Sequence, residues 1–253
     1  MIETDYHTHT LYSHGKGTPE QNVLAAIERG LKRIAISEHG PAHAFYGVRG
    51  ERLKALRRDV DRLACVYAND IEVLFGLECN LTGFGQCDAP EDAAAMCDVL
   101  LLAYHRGVFK KGPFMRRLFL EAAGLKQNAP RETALALLDA AEKHRVTIFS
   151  HPSLYVRSDI KTLAQGAAQL GVLLEINAAR VTMTDDELRL AASLGASFVI
   201  NSDAHKPQDV GNFTLALEAA KRAGVLGHVM NYTAYETGDA IGDDEEKPVV
   251  LPV

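Results

Sequence analysis

Ser197-Phe198-Val199-Ile200-Asn201-Ser202-Asp203-Ala204-His205 joins a short apolar run to a carboxylate and an imidazole two residues apart. A four-residue run of this kind, ended by a polar cluster, has the marks of a buried parallel strand. The same phrase recurs along the chain. Apolar runs lie at Ile2–Tyr6, Ile34–Ser37, Ile71–Leu77, Val99–Ala103, Val146–Ser150 and Val172–Ile176. Helix-like stretches alternate with them at 19–30, 50–68, 131–144, 159–170, 184–194 and 212–223. Thr18-Pro19-Glu20 reads as an N-cap with proline at the first helical position. Gly30, Gly171, Gly195 and Gly224 stand where helices should stop. Strand, helix, glycine, strand is the pattern of βα repeats, and seven strands predict a barrel one unit short of the common eight.

The chemistry-bearing residues follow the strands. His7 and His9 come after the first, His39 after the second, and Glu78 ends the third. His105 ends the fourth, His151 the fifth, Glu175 and Asn177 close the sixth, and Asp203 and His205 follow the seventh. All strands of a βα barrel run one way, so residues beyond their C-terminal ends meet on one rim, where such enzymes hold their active sites. Side chains scattered over nearly the whole chain are therefore expected to converge. Imidazole and carboxylate are the ligands of zinc, manganese and iron. In His7-Thr8-His9 and Asp203-Ala204-His205, positions i and i+2 share a face, so both side chains can reach one metal. A single histidine is more often a surface or core residue than a ligand, and His144 and His228, away from the rim, fit that plainer role. His43 is open to either.

Bulk properties narrow the alternatives. The 253 residues suit a single α/β barrel, and 47% apolar residues supply a core without disulfides. A net charge of −6 argues against long nucleic acid as partner, though bound cations would still admit a small phosphorylated substrate. Cys65, Cys79, Cys87 and Cys97 form no C-x-x-C pair, so zinc ribbons and thioredoxin sites are not expected. The opening MIETDYHTHT has neither a basic region nor an apolar one of the secretory kind, and no run of ~18 apolar residues occurs, so a cytoplasmic protein without a membrane span is expected. The barrel domain is expected over 1–236 and an acidic, flexible tail over 237–253.

Segment Arg106–Pro130 interrupts the rhythm and reads as a long loop with a short helix. It carries Lys110, Lys111, Arg116 and Arg117 beside Phe109, Phe114, Leu118 and Phe119. The basic residues suggest a cover over the site, the apolar ones a contact between copies in a homo-oligomer. Arg106, next to His105, and Arg180, beyond the sixth strand, are candidate phosphate clamps by their planar forks.

The blocks D-Y-H-T-H-T, S-E-H-G, G-L-E-C-N, S-H-P and N-S-D-A-H, in this order over roughly 1–235, resemble the PHP (polymerase and histidinol phosphatase) superfamily. The resemblance implies a distorted (βα)7 TIM-like barrel with two to three divalent ions, zinc or manganese and iron. It implies one ion on His7, His9, Glu78 and Asp203, a second sharing Glu78 with His105 and His151, and a third on His14, His39 and His205. Asp203, Glu78 and His205 would be the catalytic residues. The implied reaction is hydrolysis of a small phosphorylated metabolite by attack of metal-bound hydroxide. Histidinol-phosphate hydrolysis, nucleotide or nucleic-acid phosphodiester cleavage on the same centre, and a non-catalytic metal-binding role are the alternatives.

Overall fold

The computed structural model describes residues 1–125 and 129–233; the tail expected over 237–253 lies outside them. Seven parallel strands form the sheet: β1 (Thr4–Asp5), β2 (Arg33–His39), β3 (Glu72–Gly83), β5 (Val99–Ala103), β6 (Ile148–Phe149), β7 (Leu173–Asn177) and β8 (Phe198–Asn201), each hydrogen-bonded to the next in that order. A short β4 (Gln86–Cys87) pairs antiparallel with the end of β3. The sheet nearly closes into a barrel. Beyond β1 and β8, Thr8 and Ala204 form an isolated parallel bridge, and the amide of Tyr6 donates to Asn201 Oδ1 at 2.9 Å.

The helices are α1 (Pro19–Glu28), α2 (Glu51–Val66), α3 (Ala93–Met96), α4 (Pro113–Ala122), α5 (Pro130–His144), α6 (Ile160–Leu170), α7 (Asp185–Ser193) and α8 (Thr214–Ala223). Thr18 caps α1 in a full capping box with Gln21, as its spacing predicts. Gly171 and Gly224 end α6 and α8 in the left-handed region at φ 69° and 71°, where a side chain would be strained. The segment expected as a long loop with a short helix contains the ten-residue α4. Its apolar positions Met115, Leu118 and Ala122 are buried against the main core, which holds it helical. Among the described residues no helix is long and apolar enough to cross a membrane.

Two cores explain where the site must lie. The larger fills the space between sheet and helices and includes the fully buried Phe75, Phe149 and Phe198. The smaller plugs the barrel lumen: Tyr6, Ala35, Val99, Leu101, Ile148, Leu173 and Val199 pack together, with Leu74 beside them. Side chains alternate between the faces of a strand, so the next lumen-facing positions follow at steps of two. They are Ser37 and His39 in β2, Gly76 and Glu78 in β3, Ser150 after β6, Glu175 and Asn177 in β7, and Asn201 in β8. An apolar floor therefore carries a polar layer directly above it, at the C-terminal ends of the strands.

Candidate metal centre

Glu78 is the hub of that layer and is fully buried. Its Oε1 lies 2.8 Å from His151 Nε2, 3.1 Å from His105 Nε2 and 3.4 Å from His7 Nε2. Its Oε2 lies 2.9 Å from His39 Nδ1 and 3.6 Å from His9 Nε2. Asp203 Oδ1 stands 3.5 Å from His7 Nε2 and 3.4 Å from His9 Nε2. His205 approaches from the other side, its ring 4.6 Å from that of His9. Four triads bring their ligand atoms within 4.8 Å of one another: His7–His9–Asp203, His7–Glu78–His151, His39–Glu78–His105 and His9–His39–His205. His14 is in none of these triads, but it stacks on His39 at 4.9 Å and meets His205 edge-on at 4.3 Å. Every residue expected as a ligand is thus in one cluster, while His144 lies at the end of α5 and His228 is exposed.

The cluster fits cations better than it fits itself. His9 Nδ1, His14 Nδ1, His39 Nδ1, His105 Nε2 and Glu78 Oε2 are buried without a hydrogen-bond partner among the described residues. Some stand close to an oxygen, as His105 Nε2 does to Glu78, yet are not aligned for hydrogen bonding. An orphaned buried polar atom is costly, about 1–3 kcal/mol each, and this many in one pocket point to divalent ions as the missing partners.

Electrostatics separates the imidazoles. Burial alone would lower the pKa of His7, but Glu175, Asp203 and Glu78 outweigh it and hold it well above the usual value. Burial acts the same way on His9, and its contacts with Asp203 and Glu38 bring it to about 9. For His14, burial and the neighbouring His205 and His9 push the pKa down to about 3. Burial and His9 likewise hold His39 well below its ordinary range. Burial would raise the Glu78 carboxyl, but His105, His7 and His39 depress it well below the carboxylate range. So many imidazoles around so few carboxylates cannot all be charged, and neutral rings have lone pairs to offer.

A second layer orients the first, and it contains residues that the sequence did not mark as functional. Glu175 accepts from His7 Nδ1 (2.8 Å), the His151 amide (2.7 Å), Asn177 Nδ2 (2.9 Å) and Asn201 Nδ2 (2.9 Å). With its Nδ1 proton held by Glu175, His7 turns Nε2 to the cluster, where a bound cation would take the place of the second proton. Asp88, beside β4, accepts from Asn80 Nδ2 and its amide and from the Ala42 amide, each at 2.6 Å. That fixes the Asn80 amide so that Oδ1 accepts from His105 Nδ1 at 2.8 Å, again freeing Nε2. Ser150 Oγ donates to Glu78 Oε1 at 2.9 Å, and Glu38 accepts from the Thr10 amide at 2.8 Å and from the hydroxyls of Thr10 and Ser13. His205 Nδ1 donates to the Asp203 carbonyl at 2.8 Å. Two candidate ligands, His151 (φ 28°) and Asp203 (φ 53°), have positive φ, a strain that clusters at functional sites.

A cavity of about 310 Å³ opens above the cluster. Arg106 lines it, its guanidinium 5.2 Å from the centre of the Tyr155 ring. Arg180 is exposed nearby, its amide bonded to Asn177 Oδ1 at 2.9 Å. His43 also lines the cavity, its ring 5.1 Å from that of His39, but it joins none of the ligand triads. The four basic residues of the 106–130 segment point elsewhere: Lys110, Lys111, Arg116 and Arg117 line a separate groove with Gly112, Pro113 and Leu120. Arg117 is paired with Glu121 and Glu132, at 3.1 Å each.

Comparisons with known proteins agree with this geometry. The chain is 28% identical to a probable phosphatase of Syntrophotalea carbinolica (strain DSM 2380 / NBRC 103641 / GraBd1), over 95% of this chain and 96% of the relative. It is 30% identical to a probable phosphatase of Shewanella sp. (strain ANA-3), over 84% and 80% of the two chains. The fold superposes on histidinol phosphate phosphatase from Lactococcus lactis, solved with zinc, L-histidinol and phosphate, at a TM-score of 0.61 and 19% identity, covering 88% of this chain and 94% of that one. The PHP domain family model matches residues 5–179, an unbroken stretch from the end of β1 through β7 that takes in every candidate ligand except Asp203 and His205. With well over half of its length matched and phosphatases among its relatives, the chain belongs to the PHP domain family and is a phosphoric ester hydrolase.

Proposed function

We propose that the protein is a metal-dependent phosphomonoesterase acting on a small phosphorylated metabolite. The observation that carries the reading is Glu78, a single buried carboxylate within 2.8–3.6 Å of nitrogens from five histidines, two of which, His39 Nδ1 and His105 Nε2, have no hydrogen bond among the described residues. Two to three divalent ions, zinc or manganese and iron, would fit here. His7, His9, Glu78 and Asp203 would hold one, Glu78, His105 and His151 a second, and His14, His39 and His205 a third. Such ions lower the pKa of water and offset charge on phosphoryl oxygens.

The chain's own residues do the positioning. Asp203, whose Oδ2 accepts from Asn177 Nδ2 at 3.1 Å, would orient the attacking water with Oδ1. Glu78, its carboxyl held well below the usual range by the surrounding histidines, keeps its charge at neutral pH and would offset the charge of bound cations. His205, at the mouth of the cavity with its Nδ1 proton engaged, turns Nε2 to the pocket. Arg106, which lines the cavity, would supply a guanidinium for a non-bridging oxygen; Arg180, the second candidate clamp, is not among the lining residues. Monoesters are favoured over nucleic acid because 310 Å³ is at the small end of the ~300–1,000 Å³ range of ligand pockets and the chain is acidic.

The test is chelation, reconstitution with zinc or manganese, and comparison of p-nitrophenyl phosphate with bis(p-nitrophenyl) phosphate. Faster release from the monoester is expected, and faster cleavage of the diester would overturn the monoesterase reading. A panel with histidinol phosphate, sugar phosphates and nucleoside monophosphates then narrows the substrate.

A further inference from the structure

The sheet stops short of closing on itself. β1 and β8 stand at its two edges, and the one bridge between them among the described residues, Thr8 to Ala204, lies beyond the ends of both strands. The candidate ligands flank this seam. His7 and His9 follow β1, and Asp203 and His205 follow β8. The ion proposed on His7, His9, Glu78 and Asp203 would span it.

Side chains replace the missing ladder. Asp5, the last residue of β1, is fully buried. Across the seam its Oδ1 accepts from the Ser202 amide at 3.1 Å and its Oδ2 from the Gly211 amide at 3.0 Å. Only a carboxylate has an acceptor oxygen for each of the two amides, since asparagine offers one oxygen and an NH2 group. Burying a carboxylate is unfavourable, and burial pushes this carboxyl up. Closing the seam does not by itself require one. One residue earlier on both strands, the neutral Asn231 does it: Nδ2 donates to the carbonyls of Thr4 (3.1 Å) and Ile200 (2.8 Å), and Oδ1 accepts from the Ile200 amide (3.0 Å).

What sets Asp5 apart is the stretch of chain it holds. Ser202 leads into Asp203, whose φ of 53° is a strained conformation that persists only where neighbouring contacts over-determine it. They do so from both sides. Before Asp203, the Ser202 amide is held by Asp5. After it, the Ala204 amide donates to Ser202 Oγ at 3.1 Å, and the Ala204 carbonyl accepts from the His9 amide at 2.8 Å. Held in this way, Asp203 Oδ1 stands 3.5 Å from His7 Nε2 and 3.4 Å from His9 Nε2.

Accepting the metal centre of the phosphatase reading, on which this rests, we propose that Asp5 is a positioning residue for it. With the Ser202 hydroxyl, the Asp5 carboxylate locks the strained Asp203 arm in register with the His7–His9 arm, so that ligands from opposite sides of the seam share one ion. Metal–ligand distances hold to within about 0.2 Å, so a small slip of one arm weakens the grip on the ion.

The test compares Asp5→Asn with Asn231→Ala, which loosens the same seam away from the ligands. Each is measured by urea unfolding of the chelated protein, by zinc competition against a chromophoric chelator, and by p-nitrophenyl phosphate hydrolysis after zinc loading. Both variants are expected to unfold at lower urea than the parent. Asp5→Asn should lose about 10–100-fold in zinc affinity, and turnover with it, whereas Asn231→Ala should stay within about two-fold of the parent. Zinc affinity within about two-fold of the parent in Asp5→Asn, or an equal loss in both variants, overturns the positioning role. If Asp5→Asn does not fold, Ser202→Ala takes its place, since it removes only the hydroxyl that holds the Ala204 amide on the same arm. It is expected to lose about ten-fold in zinc affinity, and parent-like affinity overturns the proposal. In each of these cases hydrolysis by the parent leaves the phosphatase reading standing. A parent that binds no zinc and does not hydrolyse p-nitrophenyl phosphate overturns both.

Discussion

Replacing Glu175 with glutamine should disable the metal centre from behind, without touching a ligand. The two carboxylate oxygens accept four hydrogen bonds, from His7 Nδ1 and Asn201 Nδ2 on one oxygen and from the His151 amide and Asn177 Nδ2 on the other. An amide has one acceptor, so Glu175→Gln leaves one of these pairs facing an NH2 group. At about 1–3 kcal/mol for each unsatisfied buried donor, the metal-free fold should lose about 2–6 kcal/mol. If the amide nitrogen faces His7, the ring must move its proton to Nε2, the nitrogen directed at Glu78 and His9. If it faces the His151 amide, the strained loop at that residue loses its anchor. Either way metal affinity should drop about 10–100-fold, the usual range for a partner of this kind. Urea unfolding of the chelated protein reads the first number, and zinc competition against a chromophoric chelator reads the second. A variant that unfolds at the parent's midpoint and holds zinc within about two-fold of the parent would refute the orienting role of Glu175.

Glu78→Gln keeps the shape of the hub but removes the charge that two cations would share on the proposed reading, so metal content measured by elemental analysis should fall further than in His14→Ala, and turnover with it. Wild-type metal content in Glu78→Gln would contradict its bridging position. His144→Ala, at the end of α5, should leave metal content and turnover unchanged. The pH dependence of the chelated protein follows from His9: its folded pKa, raised to about 9, lies above the unfolded value of 6.5, so its stabilising contribution is complete below pH 6.5 and is lost as pH rises through 9. The stability gap between the parent and His9→Gln should therefore narrow from pH 6 to pH 9.5, and a widening gap would show the charged form is not the one favoured.

Most of the barrel was legible because each buried strand left a short apolar run and each helix a stop, as at Gly171 and Gly224. The candidate ligands were legible for a topological reason: parallel strands put their C-terminal ends on one rim, so His7 and His205 could be placed together from opposite ends of the chain. What was missed depended on details of register and of extensions. Strand β3 runs on to Gly83, past the expected end at Leu77, and turns back through Gly85 (φ 62°) into β4, which brings Asp88 beneath Asn80. Glycines at 83 and 85 mark that turn, but nothing local says that a carboxylate beyond it will anchor an amide within the barrel. Glu175 was seen at the end of its strand without a task; counting by twos from Leu173 would have put it in the lumen with Glu78. The short helix expected within 106–130 is present as the ten-residue α4, but its basic residues line a groove of their own, a placement set by how the helix docks rather than by its composition. His43 gives no signal in the sequence at all, since its surroundings come from the fold of the loop that carries it.

The most direct test of a polynuclear centre is anomalous diffraction at the zinc edge from crystals of the zinc-reconstituted protein. Two or three peaks are expected around Glu78, each about 2.0–2.2 Å from nitrogens or oxygens of the named histidines, Glu78 or Asp203. No peak near Glu78 at full zinc loading, or zinc held only by residues such as His144 or His228, would contradict it.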